Sequence, residues 1–513
     1  MNAVSARTHA TVAIDTTLDW REVARVAAGA ELVLSAAAVQ RIAHARGIVE
    51  AILERGIRAY GINTGVGALS DTVVDQDSQR RFSRNLMMSH ACGVGAPLPA
   101  EEVRAIIATQ INNYAHGRSG VRPATVTAML GLLAGGVVPE VPGRGSVGYL
   151  THMAHIGLVL IGEGFARIGD ERMTGAQALA RIGQAPLVLE AKEGLSLVNG
   201  SPCATGLAAL ALARAERLLD WADAIAALTL EALGAQMTAF YESVLAARSS
   251  PGLEAVGRSL RHRLAGSGLI ERALGVRTQD ALSLRAIPHV HGAARDVLAA
   301  TADVVNRELA AVTDNPIVSG TPDDPHVHSE AHAVAPALGQ ALDALGVAVA
   351  QVAAMAERRL DRLINPLVSG LPPFLALDPG TGSGFMIAQY TAVGLVNENR
   401  RLAAPASLDG GITSGLQEDF LAHATAASTK CLSIIDNAAQ VFGIEYLAAA
   451  DAQDALAGTA SRAEGTEAVH AHLRAAIARY GDDRPLSGEM IRARDLIVSA
   501  PPPAAPPMEE RAP

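Results

Sequence analysis

Apolar residues recur at three- and four-residue spacing over much of the chain, which is the period of an α-helix that buries one face. Beyond residue 199, four long stretches show this pattern: Ala204–Ala247, Ala294–Val312, Ala331–Leu363 and Leu421–Ala457. Their many alanines allow neighbouring helices to approach closely, whereas the two-residue alternation of half-buried strands is scarce. The pattern predicts a mainly α protein whose core is a bundle of long helices.

The first 200 residues differ because glycine-rich loops interrupt shorter helical stretches. Ser35 is a favoured N-cap residue, so a helix is predicted to begin after it and to stop at Gly56. Closely spaced glycines in Tyr60–Gly67 and Val141–Gly148 predict loops whose backbone turns sharply or approaches another group. We divide the chain into an N-terminal helical region with these active-site loops (1–200), a long-helix bundle (201–460), a C-terminal helical segment (461–499) and a disordered Pro-rich tail (500–513).

Composition excludes several classes of partner. The 42 Lys and Arg residues are outnumbered by 52 Asp and Glu residues, and no basic run occurs, so nucleic acid and anionic membranes are disfavoured. The most apolar runs, such as 156–161, are far shorter than a membrane span. The cysteines Cys92, Cys203 and Cys431 lie far apart with no CxxC pair, which predicts neither disulfides nor a zinc site and favours the cytoplasm.

Polar clusters at the ends of helical stretches are the candidate functional residues. A single His or Asn in such a place is more often a cap or a buried structural group, so the set is more informative than its members. The clusters are Ser89-His90, Asn112, Lys192-Glu193 with Asn199, Gln279-Asp280 with Arg285, Thr313-Asp314-Asn315, Glu357-Arg358-Arg359 and Gln417-Glu418-Asp419.

Other chemistries lack their sequence signals. No glycine-rich loop ends in Gly-Lys-Ser/Thr, and no Gly-x-Ser-x-Gly elbow occurs, so nucleotide enzymes and serine hydrolases are disfavoured. His326, His328, Glu330 and His332 alternate, as ligands on one side of a strand would. They follow Thr321–Pro325, however, which is rich in Pro and Asp, so we predict a solvated loop and no metal site.

Ten collinear motifs between residues 10 and 460 resemble histidine ammonia-lyase and its aromatic amino acid ammonia-lyase relatives. They are YGINTGVG (60–67), SHACGVG (89–95), GRSGVRP (117–123), PEVPGRGSVG (139–148), KEGLSLVNG (192–200), TQDALSLRAIP (278–288), VTDNP (312–316), ERRLDRLINPLVSGLPPFL (357–375), GFMIAQYTA (384–392) and PASLDGGITSGLQED (405–419). The resemblance implies a mostly helical homotetramer with active sites shared between subunits. It also implies elimination of ammonia from an α-amino acid by a 4-methylidene-imidazole-5-one electrophile, formed autocatalytically from an internal Ala-Ser-Gly.

The resemblance also implies roles for individual residues. Tyr60 on the glycine-rich loop is similar to the base that removes the β-proton, and Arg285 to the residue that binds the substrate carboxylate, for which a guanidinium fork is suited. Asn199 and Gln279 would hydrogen-bond the electrophile or the substrate.

The substrate-binding set implied by the resemblance contains His90, Asn112 and Leu282 besides Arg285. His90 and the catalytic candidate Glu418 occupy positions that face the imidazole in the histidine enzyme. A histidine and a carboxylate suit a polar ring and are costly beside a phenyl ring. These residues favour L-histidine, with trans-urocanate as product, or a related L-aromatic amino acid.

The electrophile tripeptide is the largest departure from the family. Gly148 is followed directly by Tyr149, where the family has Ala-Ser-Gly and then Asp. In one interpretation the matured tripeptide, a single modified residue with no one-letter symbol, belongs between Gly148 and Tyr149; in the other the chain lacks it. Dehydration of Ser146 is a poorer alternative, because the β-branched Val147 disfavours the tight bend of the cyclisation. We favour the first interpretation.

Three further departures bear on the substrate. Leu282 stands where the family usually has a second active-site Tyr, His326-Val327-His328 replaces Asn-Phe-His, and Phe420 stands where histidine enzymes often carry His. They leave open a tyrosine or phenylalanine ammonia-lyase or 2,3-aminomutase. The missing tripeptide alone leaves a further alternative, a catalytically inactive scaffold without the electrophile.

Overall fold

Helices make up most of the chain, as the sequence predicts. The computed structural model describes residues 11–408 and 410–505. The helices are α1 (Trp20–Ala27), α2 (Ala36–Glu54), α3 (Gln79–His90), α4 (Ala100–Ala115), α5 (Pro123–Ala134), α6 (Thr151–Leu160), α7 (Gly175–Arg181), α8 (Glu193–Val198), α9 (Pro202–Ala232), α10 (Glu242–Ala246), α11 (Pro251–Leu264), α12 (Gly268–Ala273), α13 (Leu282–Arg285), α14 (Ile287–Leu309), α15 (Pro336–Ile364), α16 (Pro366–Ser369), α17 (Met386–Leu402), α18 (Ala424–Ala455), α19 (Glu464–Ala476) and α20 (Ser487–Ser499).

Local rules explain where α2 begins and ends. The Ser35 side chain accepts a hydrogen bond from the backbone N–H of Ala38 at 3.1 Å, which satisfies one of the free donors at the helix N-terminus. Gly56 has a φ of +65°, a conformation that ends a helix and that glycine adopts without strain. The predicted start and stop are both confirmed.

The four long predicted helices correspond to α9, α14, α15 and α18. The first of them is shorter than predicted: α9 ends at Ala232, and Gly234 follows with a φ of +58°. The chain then forms a 3₁₀ turn over Met237–Phe240 and the short helix α10 before Ala247. The apolar period continues through this break, which is why periodicity alone did not reveal it.

The strands are short and form small sheets. They are β1 (Thr11–Ile14), β2 (Glu31–Leu34), β3 (Val94–Pro97), β4 (Val137–Pro139), β5 (Pro142–Arg144), β6 (Phe165–Ile168), β7 (Glu171–Thr174), β8 (Ile317–Gly320) and β9 (Pro325–His328). β1 pairs with β2 in parallel, and the other pairs are antiparallel: β3 with β5, β6 with both β4 and β7, and β8 with β9.

Packing divides the chain into two compact units. Unit 1 comprises residues 1–213, 301–343 and 405–429, and unit 2 comprises residues 214–300, 344–404 and 430–513. The division at residues 200, 460 and 499 that we made from the sequence stays a prediction.

An aliphatic cluster in unit 1 anchors the first glycine-rich loop. It joins one face of α2 to residues at the start of the loop and to β8, and its buried members are Ala45, Ile48, Val49, Ile52, Ala59, Ile62 and Val318. Burial of such side chains stabilises the fold by roughly 1.5–3 kcal/mol each for the larger ones. Ala59 and Ile62 flank Tyr60, so this packing determines where the loop leaves the core.

Buried charges cross-link the core of unit 2. The Asp223 carboxylate accepts hydrogen bonds from His291 Nδ1 at 2.7 Å and from Arg295 Nη2 at 2.6 Å. Arg359 donates to both oxygens of Glu445, from Nε at 2.6 Å and from Nη2 at 2.9 Å. Burial lowers the pKa of His291, which favours its neutral form.

The start of the predicted tail differs from expectation. The carbonyl oxygen of Ala500 accepts a hydrogen bond from Trp221 Nε1 at 2.8 Å, and that of Pro503 accepts one from Arg263 Nη1 at 3.0 Å. Both bonds are accepted by main-chain carbonyl oxygens, which proline has like any other residue although it lacks an N–H. Residues 500–505 are therefore ordered against unit 2, and the rest of the predicted tail, 506–513, lies outside the described residues.

Two apolar stretches are longer than the sequence analysis expected. Residues 193–232 and 336–364 have the length and apolarity of a membrane span. The most apolar window of the first is wholly buried within the protein, and that of the second is 56% buried. Core helices of a folded protein have the same properties, so length and composition alone assign no span here.

Candidate active site

The glycine-rich loop presents the Tyr60 side chain in unit 1. Gly61 has a φ of +60°, and a Cβ at this position would collide with the Leu195 side chain, so both conformation and space require glycine. The backbone N–H of Gly67 donates a hydrogen bond to Tyr60 Oη at 3.0 Å. The loop therefore folds back onto the phenol and supplies a donor that stabilises negative charge on its oxygen.

Tyr149 and Glu418 form the second part of this cluster. Tyr149 Oη donates a hydrogen bond to Glu418 Oε2 at 2.8 Å, although the two residues are 269 positions apart. Burial, and then the hydrogen bond to Glu418, raise the pKa of the Tyr149 phenol well above its ordinary value. Burial also raises the pKa of Tyr60, with a smaller contribution from the Glu418 charge and an opposing one from Gly67 N–H. The negative charge of one carboxylate, Glu418, therefore raises the pKa of both phenols.

A second loop holds Glu418 in place. The backbones of Thr413 and Glu418 hydrogen-bond each other in both directions, at 2.9 and 3.3 Å, and close the segment between them. Ser414 Oγ in this segment accepts a hydrogen bond from the backbone N–H of Ala68 at 3.3 Å. The loop that carries Tyr60 and the loop that carries Glu418 therefore contact each other, and this contact explains why the sequence places glycines in both.

The backbone is strained where the electrophile tripeptide is expected. Leu150 has φ +72° and ψ −77°, and Thr151 N donates to Tyr149 O across it at 3.1 Å, which is a tight three-residue turn. Such a conformation costs roughly 1–3 kcal/mol for a residue with a side chain. Leu150 N also donates to Val198 O at 2.8 Å, next to Asn199. The segment that follows the Gly148–Tyr149 bond therefore contains a strained residue, Leu150, whose backbone is also held by Val198.

Ser146, before this bond, remains the poorer alternative source of the electrophile. Ser146 Oγ accepts from Gly148 N at 3.1 Å and donates to Tyr149 O at 3.2 Å, so its hydroxyl serves the turn. Val147 follows it where the cyclisation requires glycine. Close to the expected position of the electrophile, the strained Leu150 follows Tyr149, and Asn199 follows Val198, whose carbonyl oxygen accepts from Leu150 N.

Asn199 lies in a buried polar network of unit 1. Its Nδ2 donates to the carbonyl oxygen of Asn315 at 2.5 Å and to Asp314 Oδ1 at 3.4 Å. The opposite oxygen of Asp314 accepts from Lys192 Nζ at 3.0 Å and from Ser196 Oγ at 2.8 Å. Two clusters selected from the sequence, at residues 192–199 and 313–315, therefore form one group. The family resemblance implies a role for Asn199, whereas Lys192 and Asp314 have none assigned from the sequence.

His90 ends α3 and is half-buried. Its Nδ1 lies 3.0 Å from Ser89 Oγ, and burial lowers its pKa, with an opposing contribution from the Leu86 carbonyl. Among the described residues, no hydrogen bond joins His90 to Tyr60 or Glu418. The contact of His90 with the substrate ring therefore stays a prediction.

The Asn112 amide is hydrogen-bonded at both ends. Its Oδ1 accepts from the backbone N–H of Leu18 at 2.8 Å, and its Nδ2 donates to the carbonyl oxygen of Leu309 at 2.8 Å. Both ends of the buried amide join chain segments far apart in sequence. This geometry gives Asn112 a structural role that the sequence did not predict, and the substrate contact stays a prediction.

Gln279, Leu282 and Arg285 belong to unit 2. Arg285 Nε donates to the carbonyl oxygen of Asp280 at 2.9 Å. With its amide oxygen turned toward the guanidinium, Gln279 accepts from Arg285 Nη2 at 2.6 Å and from Nε at 3.1 Å. Leu282 is 61% exposed at the start of α13. The structure thus brings Gln279 and Arg285 together and leaves the Leu282 side chain available to a ligand.

Two of the alternating residues, His326 and His328, lie in a hairpin and not in the predicted loop, whereas Glu330 and His332 lie outside the strands. His326 and His328 lie on β9, which pairs with β8. His328 Nε2 lies 2.9 Å from Ser319 Oγ, and His326 Nε2 lies 3.2 Å from Asp324 Oδ2. Within residues 11–408 and 410–505, no group of three or more His, Cys, Asp and Glu side chains is arranged to hold a metal ion.

Comparisons with known proteins agree on one family. The family model described as aromatic amino acid lyase matches residues 18–475. Histidine ammonia-lyase of Symbiobacterium thermophilum is 42% identical over 475 residues, 92% of each chain, and that of Anaeromyxobacter sp. strain K is 42% identical over 495 residues, 94% of this chain and 97% of the relative.

Solved structures show the same fold. Tyrosine aminomutase from Streptomyces globisporus superimposes with a TM-score of 0.91 at 32% identity and covers 95% of this chain and 97% of its own. Histidine ammonia-lyase from Trypanosoma cruzi gives a TM-score of 0.88 at 32% identity over 95% and 93% of the two chains.

Proposed function

The chain belongs to the aromatic amino acid lyase family and is a carbon–nitrogen lyase, and we propose that it converts L-histidine to trans-urocanate and ammonia. The observation that carries this proposal is the cluster of Tyr60, Tyr149 and Glu418 in unit 1. It combines a phenol that can act as a base with a carboxylate suited to the N–H of an imidazole ring. The relatives at about 42% identity that are named histidine ammonia-lyase support the same substrate.

Each proposed residue has one task in the elimination. The Tyr60 phenolate removes the β-proton and becomes a neutral phenol, and the N–H of Gly67 stabilises the negative charge on its oxygen before that transfer. Arg285 binds the substrate carboxylate, with its guanidinium oriented by Gln279 and by the Asp280 carbonyl. Glu418 and His90 bind the imidazole ring. The 4-methylidene-imidazole-5-one group supplies the electrophile that makes the substrate amine a leaving group.

We place that group between Gly148 and Tyr149 in the mature chain. The strained Leu150 and the neighbouring Asn199 support this position. The tryptic peptide that begins at Gly145 and ends at Arg167 tests it directly. We expect a mass larger than the sequence allows by Ala-Ser-Gly less two waters. A mass equal to that of the unmodified peptide would leave the chain as an inactive scaffold.

A second candidate substrate class is supported by Leu282 and Tyr149. Leu282 makes the start of α13 apolar where the family usually has a tyrosine, and solved tyrosine and phenylalanine aminomutases share the fold. Product analysis with histidine, tyrosine and phenylalanine distinguishes the candidates. We expect urocanate and ammonia from histidine. A cinnamate-type product or a β-amino acid from tyrosine or phenylalanine, with none from histidine, would replace the main proposal.

Replacing Arg285 by Met is expected to raise the KM for histidine by roughly 10- to 100-fold, because charge-assisted hydrogen bonds of about 1.5–3 kcal/mol are lost. Steady-state kinetics measures this effect. Arg272→Met removes an arginine of the same chain segment that bonds the Thr459 carbonyl, and it serves as the matched control with an unchanged KM. An unchanged KM in Arg285→Met would rule out carboxylate binding by this residue.

We also propose that the enzyme is a cytoplasmic homotetramer. The helix α17 exposes Ile387, Tyr390 and Val393, which follow one another at three-residue spacing and form an apolar stripe. The three cysteines are free, which suits a reducing compartment. Light scattering on the purified protein tests the oligomeric state: four times the chain mass is expected, and a monomer would contradict shared active sites.

A further inference from the structure

A fully buried ion pair lies at the opposite end of the short helix α8 from Asn199. Lys192 Nζ and Asp314 Oδ2 are 3.0 Å apart, and both side chains have 0% exposure. Lys192 itself has a φ of +73°, an unfavourable conformation for a residue with a side chain. Burying two charges costs free energy that their attraction only partly offsets, so a well-packed apolar pair would serve stability at least as well. The pair therefore calls for an explanation other than stability.

The hydrogen bonds of Asp314 provide one. One carboxylate oxygen accepts from Lys192 Nζ and from Ser196 Oγ at 2.8 Å, and the other accepts from the backbone N–H of Asn315 at 2.8 Å and from Asn199 Nδ2. Every acceptor direction of the carboxylate is thus occupied. Asn199 Nδ2 is held between this carboxylate and the Asn315 carbonyl oxygen.

This arrangement determines the orientation of the Asn199 amide. Since Nδ2 is committed to two acceptors, Oδ1 must point the opposite way, and no hydrogen bond occupies it among the described residues. Leu150 N donates to Val198 O, the carbonyl next to Asn199, so the free oxygen belongs to the chain segment that borders the proposed electrophile. A neutral amide at position 314 could turn its NH₂ group toward Asn199 Nδ2, and donor would then face donor. Only the Asn315 carbonyl, at 2.5 Å, would still hold Nδ2, whereas in the parent it is also held by Asp314 Oδ1 at 3.4 Å.

We propose that the buried Lys192–Asp314 pair is a positioning device: the lysine Nζ holds the carboxylate in place, and the carboxylate fixes Asn199 so that its amide oxygen accepts a hydrogen bond in the active site. The proposal rests on the proposed function only for what the amide oxygen contacts. The orientation of Asn199 itself follows from this network alone.

A double-mutant cycle on kcat tests the coupling. Asp314→Asn is expected to lower kcat with histidine by about 10²-fold, as a misplaced active-site group does, with little change in KM. In an Asn199→Ala background the same change is expected to have almost no further effect, because its target is gone. If the two effects multiply instead, Asp314 does not act through Asn199 and the proposal is wrong.

Glu193→Gln is the matched control. Glu193 is a buried carboxylate at the start of α8, the short helix that Asn199 ends. It accepts hydrogen bonds from Arg122 and Thr125 and makes none with Asn199. We expect its effect on kcat to be the same in both backgrounds.

Asp314→Asn can also fail to fold because it leaves Lys192 buried without a counter-charge. The neutral pair Lys192→Met with Asp314→Asn removes that problem and is expected to recover stability without recovering kcat.

A crystal structure of the neutral double variant gives a readout independent of turnover. The proposal expects the Asn199 amide to be rotated or disordered while the backbone of α8 stays in place, and expects it unmoved in Glu193→Gln. An unmoved amide in the double variant would overturn the proposal. If the parent enzyme fails to act on histidine, the proposed function is wrong, and the orientation of Asn199 is still tested by these structures.

Discussion

Replacing Tyr60 by Phe is expected to lower kcat by about 10²- to 10⁴-fold, the range that a positioned general base contributes. The substitution removes the phenol oxygen and keeps the aromatic ring. Ala59 and Ile62, which lie on either side of position 60 in the sequence, stay packed in the aliphatic cluster. The fold should therefore be unchanged. Initial rates of urocanate formation measure the effect, and urea unfolding checks that the two proteins are equally stable.

The pH dependence gives this prediction a second signature. Burial, and to a smaller extent the charge of Glu418, raise the pKa of Tyr60, so near neutral pH most of the phenol is protonated. A base acts in its deprotonated form, and the fraction of phenolate rises with pH up to that pKa. We expect kcat/KM of the parent enzyme to rise with pH in the alkaline range, and we expect the rise to be absent in Tyr60→Phe.

Tyr149→Phe is the matched control because it removes the other phenol near Glu418. That hydroxyl donates to the carboxylate at 2.8 Å and orients it, so its loss should change KM for histidine more than kcat. If Tyr149→Phe caused the loss of kcat and Tyr60→Phe did not, Tyr149 would be the base and Tyr60 would not. Full turnover in Tyr60→Phe would show that the base has been wrongly assigned.

Replacing Glu445 by Gln is expected to lower the free energy of unfolding by about 3–5 kcal/mol, the cost of breaking a buried ion pair and leaving one charge uncompensated. Glu445 accepts two hydrogen bonds from Arg359 and a third from Thr229 Oγ1 at 2.9 Å. The Arg359 guanidinium is fully buried, so water cannot replace the lost carboxylate. Urea unfolding followed by far-UV circular dichroism measures the loss.

The exposed pair of Arg181 and Glu171 provides the control. Its two side chains are more than half exposed and meet at 2.9 Å. Glu171→Gln is expected to change the free energy of unfolding by less than about 1 kcal/mol, since water screens such pairs. Equal losses in Glu445→Gln and Glu171→Gln would contradict the argument that burial gives the inner pair its effect.

Features governed by short-range rules could be predicted from the sequence. The N-cap at Ser35 and the stop at Gly56 involve bonds within one turn of helix, and the long helices repeat an apolar period that needs no partner to be recognised. The glycine-rich loop that carries Tyr60 was also recognisable, because glycine marks unusual backbone wherever it is concentrated. Recognition of the family added the roles of Tyr60, Asn199, Gln279, Arg285 and Glu418, which stay proposals.

Sequence reasoning missed contacts that distant segments decide. Asn112 was assigned to the substrate, which stays a prediction, and the sequence did not reveal that its amide joins Leu18 to Leu309. His326 and His328 were assigned to a loop, yet strand pairing with β8 places them in a hairpin. A polar residue looks the same in sequence whether its partner is a ligand or another segment of the chain.

The sequence by itself determined the helical class, the main loops and the family of this protein, because periodicity, capping and glycine content act over a few residues. Only the tertiary structure decided which polar groups meet. Tyr149 finds Glu418 and Lys192 finds Asp314 across 269 and 122 positions of chain. Such pairs form because burying a charged or polar group without a partner costs more than bringing distant segments together, and no local pattern records which partner is chosen.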